Sequence, residues 1–317
     1  MGYLERTGAR VDNEIAALYN RREDRKRGKK MKKLVLIVLL CLLFCMTKPM
    51  SAQQVQMISG CGMTVSSDAT AIDFGDISVT NVKALTALLD QMPQLERVDM
   101  YQSRLEKTDM DMLFYRYPQI MFGWTYYVGD HRVRTDITAF STLHGSSPDP
   151  IHTEKDFQWL KFCKGLKAID VGHNWVRDIS WLENFPELKV LILAVNSVED
   201  LTPLAKLKDL EYLELFTNKF TDITPLTELK KLKDLNIKYN AVEDIRPLYD
   251  MTWLERLWLG AGRMKEVPME QRAQLEEALF NTEVDWDSKP TAGTWRNHPR
   301  YDIVYEMFHG TKYIPFE

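Results

Sequence analysis

The sequence predicts an α/β repeat solenoid, and three observations predict it. Five leucine-anchored units start at Leu166, Leu188, Leu210, Leu232 and Leu254, evenly spaced along the chain; a fixed period in the twenties is the signature of a solenoid. Each unit opens on leucines that alternate with variable residues, the period of a strand. An asparagine then recurs at one position, as Asn174, Asn196, Asn218 and Asn240.

The unit from Leu210 to Lys231 shows the logic in full. Leu213 and Leu215 point to one side and Glu214 and Phe216 to the other, as Leu191 and Leu193 and then Leu235 and Ile237 do in the neighbouring units. Asn218 follows where the chain must turn inward, and a buried amide there can donate to and accept from backbone in adjacent turns. The asparagines are therefore expected to form a structural ladder. An apolar residue comes next (Val176, Val198, Phe220, Val242), then an aspartate (Asp178, Asp200, Asp222, Asp244). Aspartates in register raise the question of a metal site, but a short carboxylate bonding nearby backbone at the start of a turn accounts for them. Thr202-Pro203 and Thr224-Pro225 read as helix N-caps with Pro at the first position, and Ser180 with Glu183 as a capping box. About ten residues remain for the return limb, enough for a short 3₁₀ or one-to-two-turn helix.

The pattern LxxLxLxxNxVxDLxPLxxLxx, nearly complete from Leu188 to Tyr249, resembles the 22-residue leucine-rich repeat of bacterial internalins and of a eukaryotic phosphatase-regulator subclass. The resemblance covers about a third of the chain. It implies a curved solenoid with a parallel sheet on its concave side, short 3₁₀ or α limbs on the convex side, and a role in binding other molecules instead of catalysis.

Residues 1–30 are polar and end in the charge run RREDRKRGKK. Met31-Lys32-Lys33 then precedes thirteen apolar residues, Leu34 to Met46, and a small-residue exit at Ser51-Ala52. That order is a secretory signal peptide. Thirteen helical residues span about 20 Å, short of a bilayer core of roughly 30 Å, so a cleaved signal is expected over a permanent anchor. Met31 is then the expected start, with residues 1–30 an upstream extension. Ile58-Ser59-Gly60-Cys61 has the order of a lipobox, resembling bacterial lipoproteins, but lies fifteen residues beyond the apolar run; a lipid anchor stays open. Without its signal the chain holds only Cys61 and Cys163, whose spacing implies no disulfide.

Residues 53–68 read as a flexible linker. From 69 to 165 irregular N-terminal repeats are expected to cap the solenoid, with strand starts at Ala71–Asp76, Leu95–Met100 and near Ile120, slightly further apart than in the regular units, and helices at Asn81–Gln91 and Thr108–Tyr117. Trp124–Thr135, centred on Gly129-Asp130, reads as a hairpin. Ser141–Pro150 reads as a loop and Glu154–Lys164 as a helix. The regular repeats run over 166–267, fading where Gly262 replaces the ladder asparagine. Within 268–317 come a helix at Met269–Phe280, a strand at Glu283–Trp286, and an aromatic tail expected to fold over the final repeat as a C-terminal cap.

The net charge of −4 hides an asymmetry: residues 1–33 hold eleven Lys/Arg and five Asp/Glu, and beyond position 52 there remain 29 basic and 40 acidic residues, about −11. A nucleic-acid partner is not expected of so acidic a folded part. The sequence lacks the GxSxG, P-loop, GxGxxG, HExxH and EF-hand motifs. Its six histidines are scattered, with none at ligand spacing from another, so no enzyme, cofactor or metal site is expected. Function is assigned to the concave face and to a protein or peptide ligand. The expected contact residues are Ile192, Tyr212, Glu214, Phe216, Asn236, Lys238, Tyr239, Arg256 and Trp258, since exposed aromatics near arginine match interface hot spots. Two alternatives accompany this reading: that flanking loops cover some of these side chains, or that Tyr212, Phe216 and Trp258 are platforms for sugar rings in an accessory of a surface degradation system.

Overall fold

The computed structural model describes residues 55–143, 151–260, 267–286 and 295–316. The predicted signal peptide and upstream extension, most of the Ser141–Pro150 loop and Gly262 lie outside the described residues.

The repeats form as their period dictates. Strands β9 (Ala168–Asp170), β10 (Val190–Ile192), β11 (Tyr212–Glu214), β12 (Asp234–Asn236) and β13 (Arg256–Trp258) are parallel neighbours whose pairing puts Ile169, Leu191, Leu213, Leu235 and Leu257 in one row. Strand β8 (Ala139–Ser141) extends this sheet at one end and β14 (Glu283–Asp285) at the other, making seven strands. The leucine row joins a continuous apolar core that includes Ile58 at one end of the chain and Leu279 at the other. Return limbs are five-residue 3₁₀ turns at Ser180–Asn184, Thr202–Lys206, Thr224–Glu228 and Arg246–Asp250.

The ladder works as read. The Asn218 amide donates to the Leu193 and Leu215 carbonyls at 2.9 and 3.0 Å, and its oxygen accepts from Val198 N–H at 3.0 Å. Asn196 does the same one repeat earlier, donating to Val171 and Leu193 and accepting from Val176. Just before each asparagine the chain enters the left-handed region: His173, Val195, Thr217 and Tyr239 have φ of 56, 55, 58 and 58°. Stacked asparagine bonds hold a conformation that side chains, above all β-branched ones, disfavour.

The aspartates cap the return turns. Asp178, Asp200 and Asp222 accept from the N–H two residues on, each at 2.8 Å, and Asp244 at 3.0 Å. The expected Thr202 and Thr224 caps and the Ser180–Glu183 box are corrected accordingly: no side-chain cap bond is made there, because the preceding aspartate already takes the first free N–H.

Before the repeats, β3 (Ala71–Asp73), β4 (Arg97–Asp99) and β5 (Met121–Gly123) form a parallel sheet of their own, with Ile72, Val98 and Phe122 in register. Helices Val82–Leu89, capped by Asn81, and Lys107–Arg116 supply the longer return limbs. β6 (Thr125–Val128) and β7 (His131–Arg134) make the expected hairpin. The helix expected at Glu154–Lys164 is one α turn, Glu154–Phe157, that tightens into a 3₁₀ turn, Gln158–Phe162. Helix Met269–Ala278 precedes β14.

Two expectations fail. Residues 57–66 of the supposed linker are a hairpin, β1 (Met57–Gly60) with β2 (Met63–Ser66), turning at Cys61-Gly62 with both φ positive. Lipobox cleavage before Cys61 would remove β1 and with it buried Ile58. Cys61 and buried Cys163 are both free thiols. The tail, second, does not stop at the final repeat: residues 295–316 run along the concave face as far as β8, where Thr138 and Ala139 N–H groups donate to the Thr311 carbonyl, each at 3.2 Å.

Candidate functional site

Alternation in β9 to β13 sends one side chain in two away from the leucine core, and these are the residues expected to meet a ligand. They do lie opposite the leucines. They are not exposed: Ile192, Tyr212, Glu214, Phe216, Asn236, Lys238, Arg256 and Trp258 are all buried, none more than 4% accessible, and Tyr239 is partly buried. The tail packs on Ile192, Tyr212, Glu214, Phe216, Arg256 and Trp258 among them, so the expectation of an open face is corrected. Among the described residues the element packed on them is the C-terminal segment that carries Trp295, distant in sequence from the strands it lies on.

The tail's local sequence explains its shape. Trp295–Asn297 forms a 3₁₀ turn, and the helix Pro299–His309 follows with proline at its first position. His298 Nδ1 accepts from Arg300 N–H at 3.1 Å and serves as the cap. That helix is about 16 Å long; with the flanking residues it reaches from β13 to β8, five strand spacings or roughly 24 Å.

Trp295 is the anchor, fully buried. Its indole N–H lies 2.7 Å from the Tyr212 hydroxyl and 2.8 Å from Glu214 Oε1. Its ring meets Trp258 edge-on at 5.2 Å, and the Arg256 guanidinium lies 4.3 Å from its centroid. Tyr212 itself hydrogen-bonds Glu214. Burial, then the neighbouring Glu214 charge, pushes the Tyr212 phenol well above its ordinary value and keeps it protonated as a donor. Val304, Met307 and Phe308 join Ala168, Val190, Ile192 and Ala194 in the same apolar cluster as the indole.

Charge is matched across the same contact. Fully buried Asp234 takes Arg256 bidentately at 2.9 and 3.0 Å and Arg300 from the tail at 2.6 Å. Arg300 also reaches Glu255, and Arg296 lies 3.6 Å from Glu214. Lys238 pairs with Asp285 at 3.3 Å and lies over the Trp258 ring. Asp170, buried on β9, accepts from Gly172 N–H at 3.0 Å and from Ser141 at 3.1 Å; burial pushes its carboxyl up to about 7 against those bonds, with the Glu214 charge adding to the rise. Sequence reasoning missed Trp295, Arg296 and Arg300. The signal was in the string WRNHPR, an aromatic and basic cluster in an otherwise acidic folded part.

With the tail seated, the accessible edge of the sheet is the rim after the strands. His173 and Thr217 are exposed there, Val195 and Tyr239 partly so, and Trp175 is 67% accessible. Among the described residues one group of three could hold a metal ion: Asp130, His131 and His152 bring nitrogen and oxygen donors within 4.8 Å of one another. No helix among the described residues is long and apolar enough to cross a membrane.

A family model described as leucine-rich repeats in two copies matches residues 186–228. No curated protein matches the sequence. Solved structures with similar folds include internalin C2 of Listeria monocytogenes, 19% identical, covering 69% of this chain and 80% of that one, with a TM-score of 0.39. A leucine-rich repeat protein of Leptospira interrogans is 18% identical, with 68% and 54% covered and a TM-score of 0.42. The functional domain of the listerial protein InlJ, which includes a cysteine ladder, is 15% identical, with 70% and 55% covered and a TM-score of 0.36. This chain thus spans about half the length of the last two, and at these identities the likeness concerns the fold alone. The chain is a leucine-rich repeat solenoid, with repeats similar in kind to those of the bacterial internalins.

Proposed function

We propose that the protein is an exported, non-catalytic recognition module whose concave face binds a protein or peptide segment, and that its own tail holds that place until a ligand displaces it. The observation that carries this reading is the chemistry of the face: a pocket for one indole, formed by Tyr212, Glu214, Arg256 and Trp258, beside the buried acid Asp234, which takes Arg300 of the tail. Hot-spot pairs at protein interfaces have this composition. A ligand that replaces the tail would be aromatic and basic. Tyr212 and Trp258 are engaged by Trp295 and Phe216 is buried, so sugar stacking on those rings has no accessible platform while the tail is seated. Export is supported by the Met31–Ala52 pattern.

The test uses a labelled synthetic peptide spanning residues 295–316. It should fail to bind the wild-type chain and bind the Trp295→Ala/Arg300→Ala variant, whose own tail is weakened. If that variant releases its tail yet takes up no peptide, the face is not a segment-binding surface and the reading falls. Glycan binding by the same variant, without peptide binding, would favour the sugar-platform alternative.

A further inference from the structure

The geometry points to a binding site for one divalent transition-metal cation of the zinc type, held by Asp130, His131 and His152 between the β6–β7 hairpin and the first rung of the asparagine ladder. Asp130 Oδ1 lies 3.4 Å from His131 Nε2 and 2.9 Å from His152 Nε2, and each of the three residues offers one donor atom within 4.8 Å of the other two. Ligands at 2.0–2.2 Å in tetrahedral array around zinc stand about 3.3 Å apart, so these separations fit one shared ion. At 2.9 Å from the carboxylate, His152 Nε2 nevertheless makes no hydrogen bond. The ring nitrogen therefore does not face the oxygen as a donor faces an acceptor, which is the arrangement of two ligands turned toward a common point.

The surroundings are those of a built site. Both Nε2 atoms are buried, while the Asp130 side chain is 49% accessible, leaving a way in and a coordination position for water. His152 is positioned by its backbone: its N–H donates to Asn174 Oδ1 at 2.8 Å and its carbonyl accepts from Trp175 N–H at 3.0 Å. Phe157 packs on the His152 ring and Phe140 on the His131 ring, both edge-on. Across the His152 ring the Asp156 carboxylate lies 3.9 Å from Nδ1, the side on which metal-bound histidines commonly meet an orienting carboxylate. Gly129 has φ +59°, and a Cβ there would come within 2.2 Å of the His152 ring, so the hairpin turn is shaped to admit the imidazole. Two imidazoles and one carboxylate suit zinc and its first-row neighbours over calcium or magnesium, which prefer all-oxygen sets. Three protein ligands with one open position would pin the hairpin to the solenoid.

The experiment is titration of the full, tag-free chain with zinc chloride against a competing chelator, with calcium as control. One equivalent of zinc should bind and raise the melting temperature, and calcium should not. Asp130→Asn and His131→Gln should each weaken zinc at least about tenfold while leaving the metal-free melting temperature near that of the wild type. His152→Ala should weaken it as well; because that ring is buried, the two hairpin variants decide the matter should the alanine variant misfold. Absence of saturable zinc binding, or binding undiminished in the Asp130→Asn/His131→Gln double variant, would overturn the assignment.

Discussion

Replacing Trp295 with alanine separates the tail from the solenoid it covers. The indole is completely buried, and truncating a buried tryptophan costs about 3–5 kcal/mol. Tyr212 and Glu214 keep their mutual hydrogen bond when the indole N–H is gone, so little further cost arises from orphaned polar atoms. The loss falls on the cluster formed by Trp295, Val304, Met307 and Phe308 with the concave face, which is distinct from the leucine core. Each 1.4 kcal/mol is a factor of ten, so the population with a released tail should rise roughly 10²- to 10⁴-fold. Amide exchange read by mass spectrometry gives the assay: protection within Pro299–His309 should drop by that factor while β10 to β12 keep theirs. Leu215→Ala is the contrast; it opens a cavity in the leucine core at about 2–5 kcal/mol and should lower protection in those strands. If Trp295→Ala leaves the tail helix as protected as before, or strips the strands and the tail equally, the division into two cores is wrong.

Three further outcomes are expected. Asn218→Leu removes bonds to the Leu193 and Leu215 carbonyls and to Val198 N–H and should cost about 2 kcal/mol or more in thermal unfolding; an unchanged melting temperature would dismiss the ladder. Asp170, raised to about 7 by burial from an unfolded value near 3.9, favours the folded state most below pH ~4 and loses that contribution as pH rises toward 7. Asp170→Asn should therefore match the wild type near pH 4 and exceed it by roughly 2–4 kcal/mol at pH 8, as measured by denaturant titration; parallel stability profiles would contradict this. Thr217, exposed at φ 58°, should gain up to about 1 kcal/mol on replacement by glycine, the relieved strain exceeding glycine's chain-entropy cost, with the midpoint of urea unfolding as readout.

The repeat register was legible because each leucine and asparagine answers to its counterpart one repeat away, so local chemistry and global fold recur together. Identity and orientation of the concave row followed from the same period, and its side chains do oppose the leucines. Their burial was not legible. Trp295 meets Tyr212 and Glu214 across separations of 83 and 81 residues, in a segment with no periodicity to betray its partner. Phe216 and Trp258 are packed under the tail, so truncating either should cost folding as well as any binding. Asp130, His131 and His152 escaped for a related reason: a hairpin and the start of a ladder bring together residues whose spacing in sequence matches no ligand motif.

The path of the tail also bears on how the molecule comes apart. In a stack of repeats each unit touches only its neighbours, and an end unit can fray while the middle stands. Here one segment is fastened at β8 through Thr311 and at β11 to β13 through Trp295 and Arg300, so units that share no border share a common tie. Fraying at either end then loosens the tie for all, which favours a single cooperative transition over stepwise loss. The tie must also close last, because the Trp295 pocket draws on strands that have to be stacked before it exists.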